Sequence, residues 1–465
     1  MTPTADAGRP ASAQNVQANV GERISKRVEW RNDAEAEAEI SRTVHALLRG
    51  TITAERAVQI ALLNNRELQA TFEEIGIANA DLTEAGLLKN PVFNASVRFP
   101  DRPPSATNVE FSIVQDFLDL LMIPLRKKVA AAELARVELK VGDEVLKLAA
   151  EVKAAFYTLQ GKQMLFGRLG ELGNTYGAAL ELSLRQHEAG NINDLELANQ
   201  QSTYSQAKLD AAQVAAEMRS DQEKLNRLMG VWGAQTQWKI ANELPGIAGR
   251  DFPTEHLESL AIAQRLDLAA SKAEVGAVVQ SLGLTKTYRY VGAIEFGVDT
   301  EKSPDRQRLT GPTLQLELPI FNQGKGRIAR LEAQLRQAER RLEARAIDIR
   351  SEVREARDRL LAKKDLATYY RDELVPERKK VLDLTVTSYN GMLKGPYDLL
   401  LARQNELAAE RGYIDALRDY WIARADLERA VGGNLTRSSS SSSSFKETVG
   451  TDRGRGRGGT GVGKD

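Results

Sequence analysis

The residues able to do chemistry are few in kind and scattered along the chain. Three histidines, His45, His187 and His256, lie far apart and form no His-Glu-x-x-His pattern that would hold a metal. There is no cysteine. That excludes disulfides, thiolate ligands, a cysteine nucleophile and a lipidated N-terminal cysteine. Gly324-Lys325-Gly326 lacks the remainder of a phosphate-cradling loop and reads as a turn that opens a helix. Carboxylates are abundant, but charge-rich helix faces account for them without catalysis. Asp194 and Asp398 each open a helical run, where an acid stabilises exposed amides. No enzyme activity, no cofactor and no metal site is expected.

Lysine plus arginine equals aspartate plus glutamate, 64 each, a balance that argues against a nucleic-acid-binding body. No stretch approaches the roughly 18 uninterrupted apolar residues of a membrane-spanning helix. A membrane location therefore requires β-strands. The first 30 residues are polar, without the apolar core of a signal peptide. That leaves a removed signal, a misplaced start or a cytoplasmic protein.

The elements that position these residues come in two copies, offset by roughly 200 residues. The lead-ins align as Glu67-Leu68-Gln69-Ala70 with Asp267-Leu268-Ala269-Ala270. The long helices align at Glu151-Val152 and Glu352-Val353, and the returning helices at Asp194-Leu195 and Asp398-Leu399. In the first copy a helix capped by Thr51 or Thr53 is broken at Asn64-Asn65, and a second runs from Arg66 to about Leu88. The period then falls to two. Asn94, Ser96 and Arg98 alternate with Phe93, Ala95 and Val97; Glu110 and Ser112 alternate with Val109, Phe111 and Ile113. The second copy alternates Arg289, Glu295 and Asp299 with Tyr288, Phe296 and Val298, then Gln315 and Glu317 with Leu314, Leu316 and Leu318.

Strands are thus expected near 91–100, 108–117, 288–299 and 310–321, each about as long as a tilted bilayer-crossing strand. The pattern alone fits barrel strands or two soluble hairpins with one wet face. From Leu125 to Glu188 and from Lys325 to Tyr389 the period is helical, on the order of 95 Å of helix in each. The spacing of Ile349, Val353, Ala356 and Leu360 suits packing against neighbouring helices. The returning helices end at Gly230 and Gly432. The domain reading is a polar arm at 1–50, one repeat at 51–245, a second at 246–435, and a Ser/Arg-Gly tail at 436–465 that cannot bury a core.

In this order and duplication, the chain resembles the TolC family of outer-membrane efflux proteins over about residues 50–435. The likeness rests on Asn65-Arg66-Glu67-Leu68 through Asn90-Pro91 and on Leu314-Gln315-Leu316-Glu317-Leu318-Pro319-Ile320-Phe321 with Asn322-Gln323-Gly324. It also rests on the turns Glu188-Ala189-Gly190 and Tyr389 to Asp398. The resemblance implies a mostly helical fold with a small β part: a homotrimer whose twelve strands close a barrel in outer-membrane lipid, joined to a helical tube in the periplasm. It implies a passive exit duct of a tripartite efflux or type I secretion system, docked to a periplasmic adaptor and an inner-membrane pump. Asn94, Ser96, Arg98, Glu110, Arg289, Glu295, Gln315 and Glu317 would line the lumen. By the family's gate pattern, Tyr389, Lys394 and Asp398 would constrain the entrance, with Asp194 or Glu196 their counterpart. A second acidic gate position falls on Leu401, and the usual glycine of the turn falls on Met392. The reading from a different class is a soluble coiled-coil scaffold.

Overall fold

The computed structural model describes residues 11–30, 34–99, 101, 107–247, 256–290, 292, 294–303, 305 and 307–433. Two helices come first, α1 (Ala11–Ile24) and α2 (Ala34–Leu47). The first repeat comprises β1 (Thr51–Ile52), α3 (Ala54–Asn64), α4 (Arg66–Glu84), β2 (Val92–Arg98), β3 (Asn108–Asp116), α5 (Leu118–Glu188) and α6 (Asp194–Met229). After β4 (Lys239–Ile240), the series recurs as α7 (Leu257–Gln264), α8 (Leu266–Tyr288), β5 (Ile294–Lys302), β6 (Arg308–Leu316) and α9 (Lys325–Tyr369). A π-helical turn, Tyr370–Leu374, leads into α10 (Val375–Asn390), and α11 (Pro396–Val431) returns.

Local chemistry sets these boundaries. Thr53 caps α3 by accepting from the Arg56 amide. Asn65 ends α3 and caps α4, accepting from the Leu68 amide at 2.8 Å. Its amide nitrogen donates to the Leu228 carbonyl, while Asn64 donates to those of Met229 and Gly230. The break between α3 and α4 therefore holds the otherwise unpaired carbonyls at the end of α6. In the second repeat Arg265 occupies the same break. It reaches the Ala430 carbonyl and pairs with Asp267 and Glu352.

The long helices meet through narrow seams. Along α5, Val141, Val145, Leu148, Val152, Ala155 and Leu159 are buried at alternating four- and three-residue steps. Along α9, Ile349, Val353, Ala356 and Leu360 do the same. The main core lies where these seams meet the lead-in helices, around Phe72, Leu225, Leu266 and Tyr420. No residue of α10 is buried. The strands form one antiparallel sheet in the order β2-β3-β5-β6, and β1 and β4 pair in parallel.

Several expectations are corrected. The arm expected to be polar packs apolar residues where it is described: Val16, Val20, Ile40 and Val44 are 0–1% exposed. Pairs of apolar residues four apart suffice to seat a short helix on a neighbour that already exists. The strand expected near 288–299 begins at Ile294, because α8 continues to Tyr288. There Thr285 and Thr287 bond back to the carbonyls of Ser281 and Gly283, and the Tyr288 hydroxyl donates to Leu121. The strand expected near 310–321 is Arg308–Leu316, set by its pairing with β5. Helix α5 starts at Leu118 rather than Leu125 and contains Pro124 early in its course. The Lys325–Tyr389 helix is interrupted by the π-turn. The Ser/Arg-Gly tail lies outside the described residues.

Candidate pore lining and gate

Strand register assigns each sheet residue to a face. Asn94, Ser96 and Arg98 stand opposite Ser112, Glu110 and Asn108; Glu110 stands opposite Glu301, Ser112 opposite Asp299, and Asp116 opposite Glu295. Glu295 in turn faces Gln315, and Asp299 lies beside Thr313. All of them share one side of the pleat. Hydrogen bonds run across it: Ser96 to Glu110 at 3.2 Å, Asn94 to Ser112 at 3.4 Å, and Asn108 to Glu301 at 2.6 Å. Arg98 lies 3.4 Å from Glu110.

The opposite side is apolar and open. Phe93, Val97, Phe111, Ile113, Phe296, Val298, Leu314 and Leu316 are all exposed. Phe93 stacks on Phe111 with ring centroids 6.0 Å apart. A contiguous exposed apolar face of this extent marks a surface that meets protein or lipid. Among the described residues, β2 and β6 each have one edge without a partner strand.

Six of the eight lumen candidates, Asn94, Ser96, Arg98, Glu110, Glu295 and Gln315, therefore come together. Arg289 does not, as it caps the end of α8 with its guanidinium 4.2 Å from the Tyr290 ring. Glu317 follows the last residue of β6. Asp299, which the alternation puts on the polar side, joins this face, as do Asp116 and Glu301, which the sequence reading does not include. Their even spacing from Glu110 and Glu295 was the signal.

At the far end of the helices, the two hairpin turns have one geometry. The Asn191 amide reaches the Gln186 carbonyl and the Leu393 amide reaches that of Ser388, both at 2.9 Å or less. Gly190 and Met392 occupy the same left-handed position, with φ of 73° and 58°. Glycine takes that conformation freely, whereas methionine is strained in it. Asn193 and Gly395 are the equivalent caps. Asn193 accepts from the Glu196 amide at 2.8 Å, and Asp398 accepts from the Gly395 amide at 3.2 Å. These caps pair Glu196 with Asp398 and shift the sequence alignment of the returning helices by two residues.

Lys394 lies 3.4 Å from Asp398, one helical turn away. Tyr389 is not joined to them. Its carbonyl accepts from the Met392 amide at 2.9 Å, and its hydroxyl has no hydrogen-bond partner among the described residues. Asp194 instead approaches the His187 ring at 3.4 Å. A bond that the reading missed, Asn199 to the Tyr397 hydroxyl at 2.8 Å, ties the two returning helices together near the tips. Among the described residues no group of three or more histidine, aspartate or glutamate side chains is arranged to hold a metal ion.

Residues 257–433 match the outer membrane efflux protein family. The chain is 19% identical over 390 residues to the cobalt-zinc-cadmium resistance protein CzcC of Cupriavidus metallidurans, covering 82% of this chain and 90% of that one. Its fold is similar to that of the Campylobacter jejuni CmeC outer membrane channel (TM-score 0.71, 17% identity, 85% of this chain and 88% of the other). A membrane protein from Pseudomonas aeruginosa is alike to a similar degree, with a TM-score of 0.69 and 19% identity over 83% and 92% of the two chains.

Proposed function

We propose that this chain, a member of the TolC family of outer-membrane efflux proteins, assembles as a homotrimer into the exit duct of a tripartite efflux or type I secretion system. The observation that carries the reading is the sheet: four strands, two open edges, an exposed apolar face and an acidic polar face. Lipid offers no partners for edge amides and carbonyls, so a spanning sheet must close through further copies. With the sheets of three chains joined edge to edge, the apolar face meets lipid and the face with Glu110, Asp116, Glu295, Asp299 and Glu301 meets water. The helical hairpins extend into the periplasm, towards an adaptor and an inner-membrane pump.

Transport in this reading needs no chemistry from the chain. It needs a passage and a gate that two arrangements of the hairpin ends open and close. Lys394, Asp398 and Glu196 sit at those ends, and Tyr389, whose hydroxyl has no partner among the described residues, would bond across to a neighbouring copy. The likeness to CzcC favours divalent metal ions as cargo, passing through as substrate and not held.

The test is conductance in a planar bilayer. The double variant Tyr389→Phe with Asp398→Ala is expected to raise single-channel conductance over the parent, with the trimer intact at roughly three times the mass of one chain. An unchanged conductance would remove Tyr389 and Asp398 from the gate. A particle that never forms channels and stays monomeric would remove the duct itself.

A further inference from the structure

Where the end of α1 meets α3, α5 and α11, the structure encloses a cavity of about 200 Å³. Its floor is apolar, built by Val58, Leu146 and Ala149, and its rim is charged. Most of that charge is engaged. The Lys153 ammonium lies 2.7 Å from Glu428 and 3.9 Å from Glu55. Two cations are the exceptions, Arg429, which is exposed, and Lys26, which is half-buried at the mouth; neither side chain has a hydrogen-bond or ion-pair partner among the described residues. Burial and the neighbouring Lys153 pull the Lys26 pKa down, and Glu55 opposes them.

The backbone is bent to put Lys26 there. Ser25, just before it, has φ of 52°, a left-handed conformation that is strained for a residue with a side chain. Gln17 spans the bend, donating to the Lys26 carbonyl at 3.2 Å and accepting from the Val28 amide at 2.6 Å. Strain braced in this way recurs at sites with a task.

We propose that the cavity binds a short-chain carboxylate, its head group on Lys26 and its alkyl chain over Val58 and Ala149. A half-buried cation without a partner calls for an anion. A single charge matches Lys26, because Lys153 is already paired with Glu428 and Arg429 is exposed beside the carboxylates of Asp143 and Asp426. The apolar floor rewards a hydrocarbon tail and offers nothing to an inorganic anion. The volume lies below the roughly 300 Å³ at which drug-sized sites begin, which limits the tail to a few carbons. Such a ligand would contact α3 and α5 of one repeat and α11 of the other, bracing the junction between them. This site stands independently of whether the chain conducts.

Calorimetric titration of the full chain in a nonionic detergent, with sodium hexanoate as the probe, tests it. Saturable binding is expected, with acetate (no tail) and hexanol (no charge) each weaker by about tenfold or more. Lys26→Gln is expected to weaken hexanoate by at least about tenfold, whereas Lys26→Arg retains it. Absence of saturable heat with hexanoate, equal binding of hexanol, or a Lys26→Gln variant that binds like the parent would each overturn the proposal.

Discussion

Single residues decide how the two repeats are stitched. At one junction Gly230 sits with φ of 66°, where an added Cβ would lie 2.4 Å from the Asn64 carbonyl oxygen. Neither backbone can withdraw, because Asn64 is bonded to the same turn. Gly230→Ala is expected to destabilise by about 2–4 kcal/mol, seen as a lower midpoint of thermal unfolding. At the other junction burial raises the Asp143 carboxyl, and Asp267 adds to the shift while Arg265 and Arg429 oppose it. A carboxyl raised on folding penalises the native state at neutral pH, and the penalty fades as pH falls through its folded pKa into the ordinary carboxylate range. Asp143→Asn is therefore expected to be more stable than the parent near pH 7, with the difference vanishing in acid. A pH series of unfolding midpoints checks the sign. Asn64 and Asn65 were legible as a helix break from their types alone. That Arg265 performs the same task was not, because its role depends on Asp267, Glu352 and the end of α11 meeting in space.

Elements show where pattern suffices and where it does not. Period-two alternation located β2 and β3 closely, since each residue of Asn94–Arg98 and Val109–Ile113 has to choose between two unlike environments. The same alternation misled at Tyr288, because α8 runs on to that residue and its hydroxyl finds a partner on α5. The π-turn at Tyr370–Leu374 left no trace in the heptad spacing. It adds one residue to a turn and seats Tyr370 against Gly412 of α11, where a Cβ would come within 2.5 Å of the ring. Gly412→Ala is expected to push the ring out and cost about 1–3 kcal/mol, measurable as a lower unfolding midpoint. Of the gate candidates that the resemblance put together, Lys394 and Asp398 meet one turn apart, whereas Tyr389 is not joined to them. The equivalence of Glu196 to Asp398 needed the caps themselves, since Asn193 and Gly395 share geometry without sharing a residue type.

At the scale of the whole molecule, the division of the sheet into a polar and an apolar face would, in the proposed barrel, set the solvent on either side. Val298 lies in the middle of the apolar face, exposed and facing Pro312 and Ile113. Val298→Arg is expected to disfavour membrane insertion by about 2–4 kcal/mol. The variant should shift from the membrane fraction to soluble or aggregated material, while the same substitution at Ser112, on the wet face, should leave fractionation unchanged. The open edges of β2 and β6 carry one more consequence, and it is genetic. In the proposed trimer each edge is completed only by a neighbouring copy, so a chain with a spoiled edge leaves a gap in every barrel it enters. Co-expressed with the intact chain, such a variant would behave as a dominant inhibitor, lowering export well beyond its own share of the protein made.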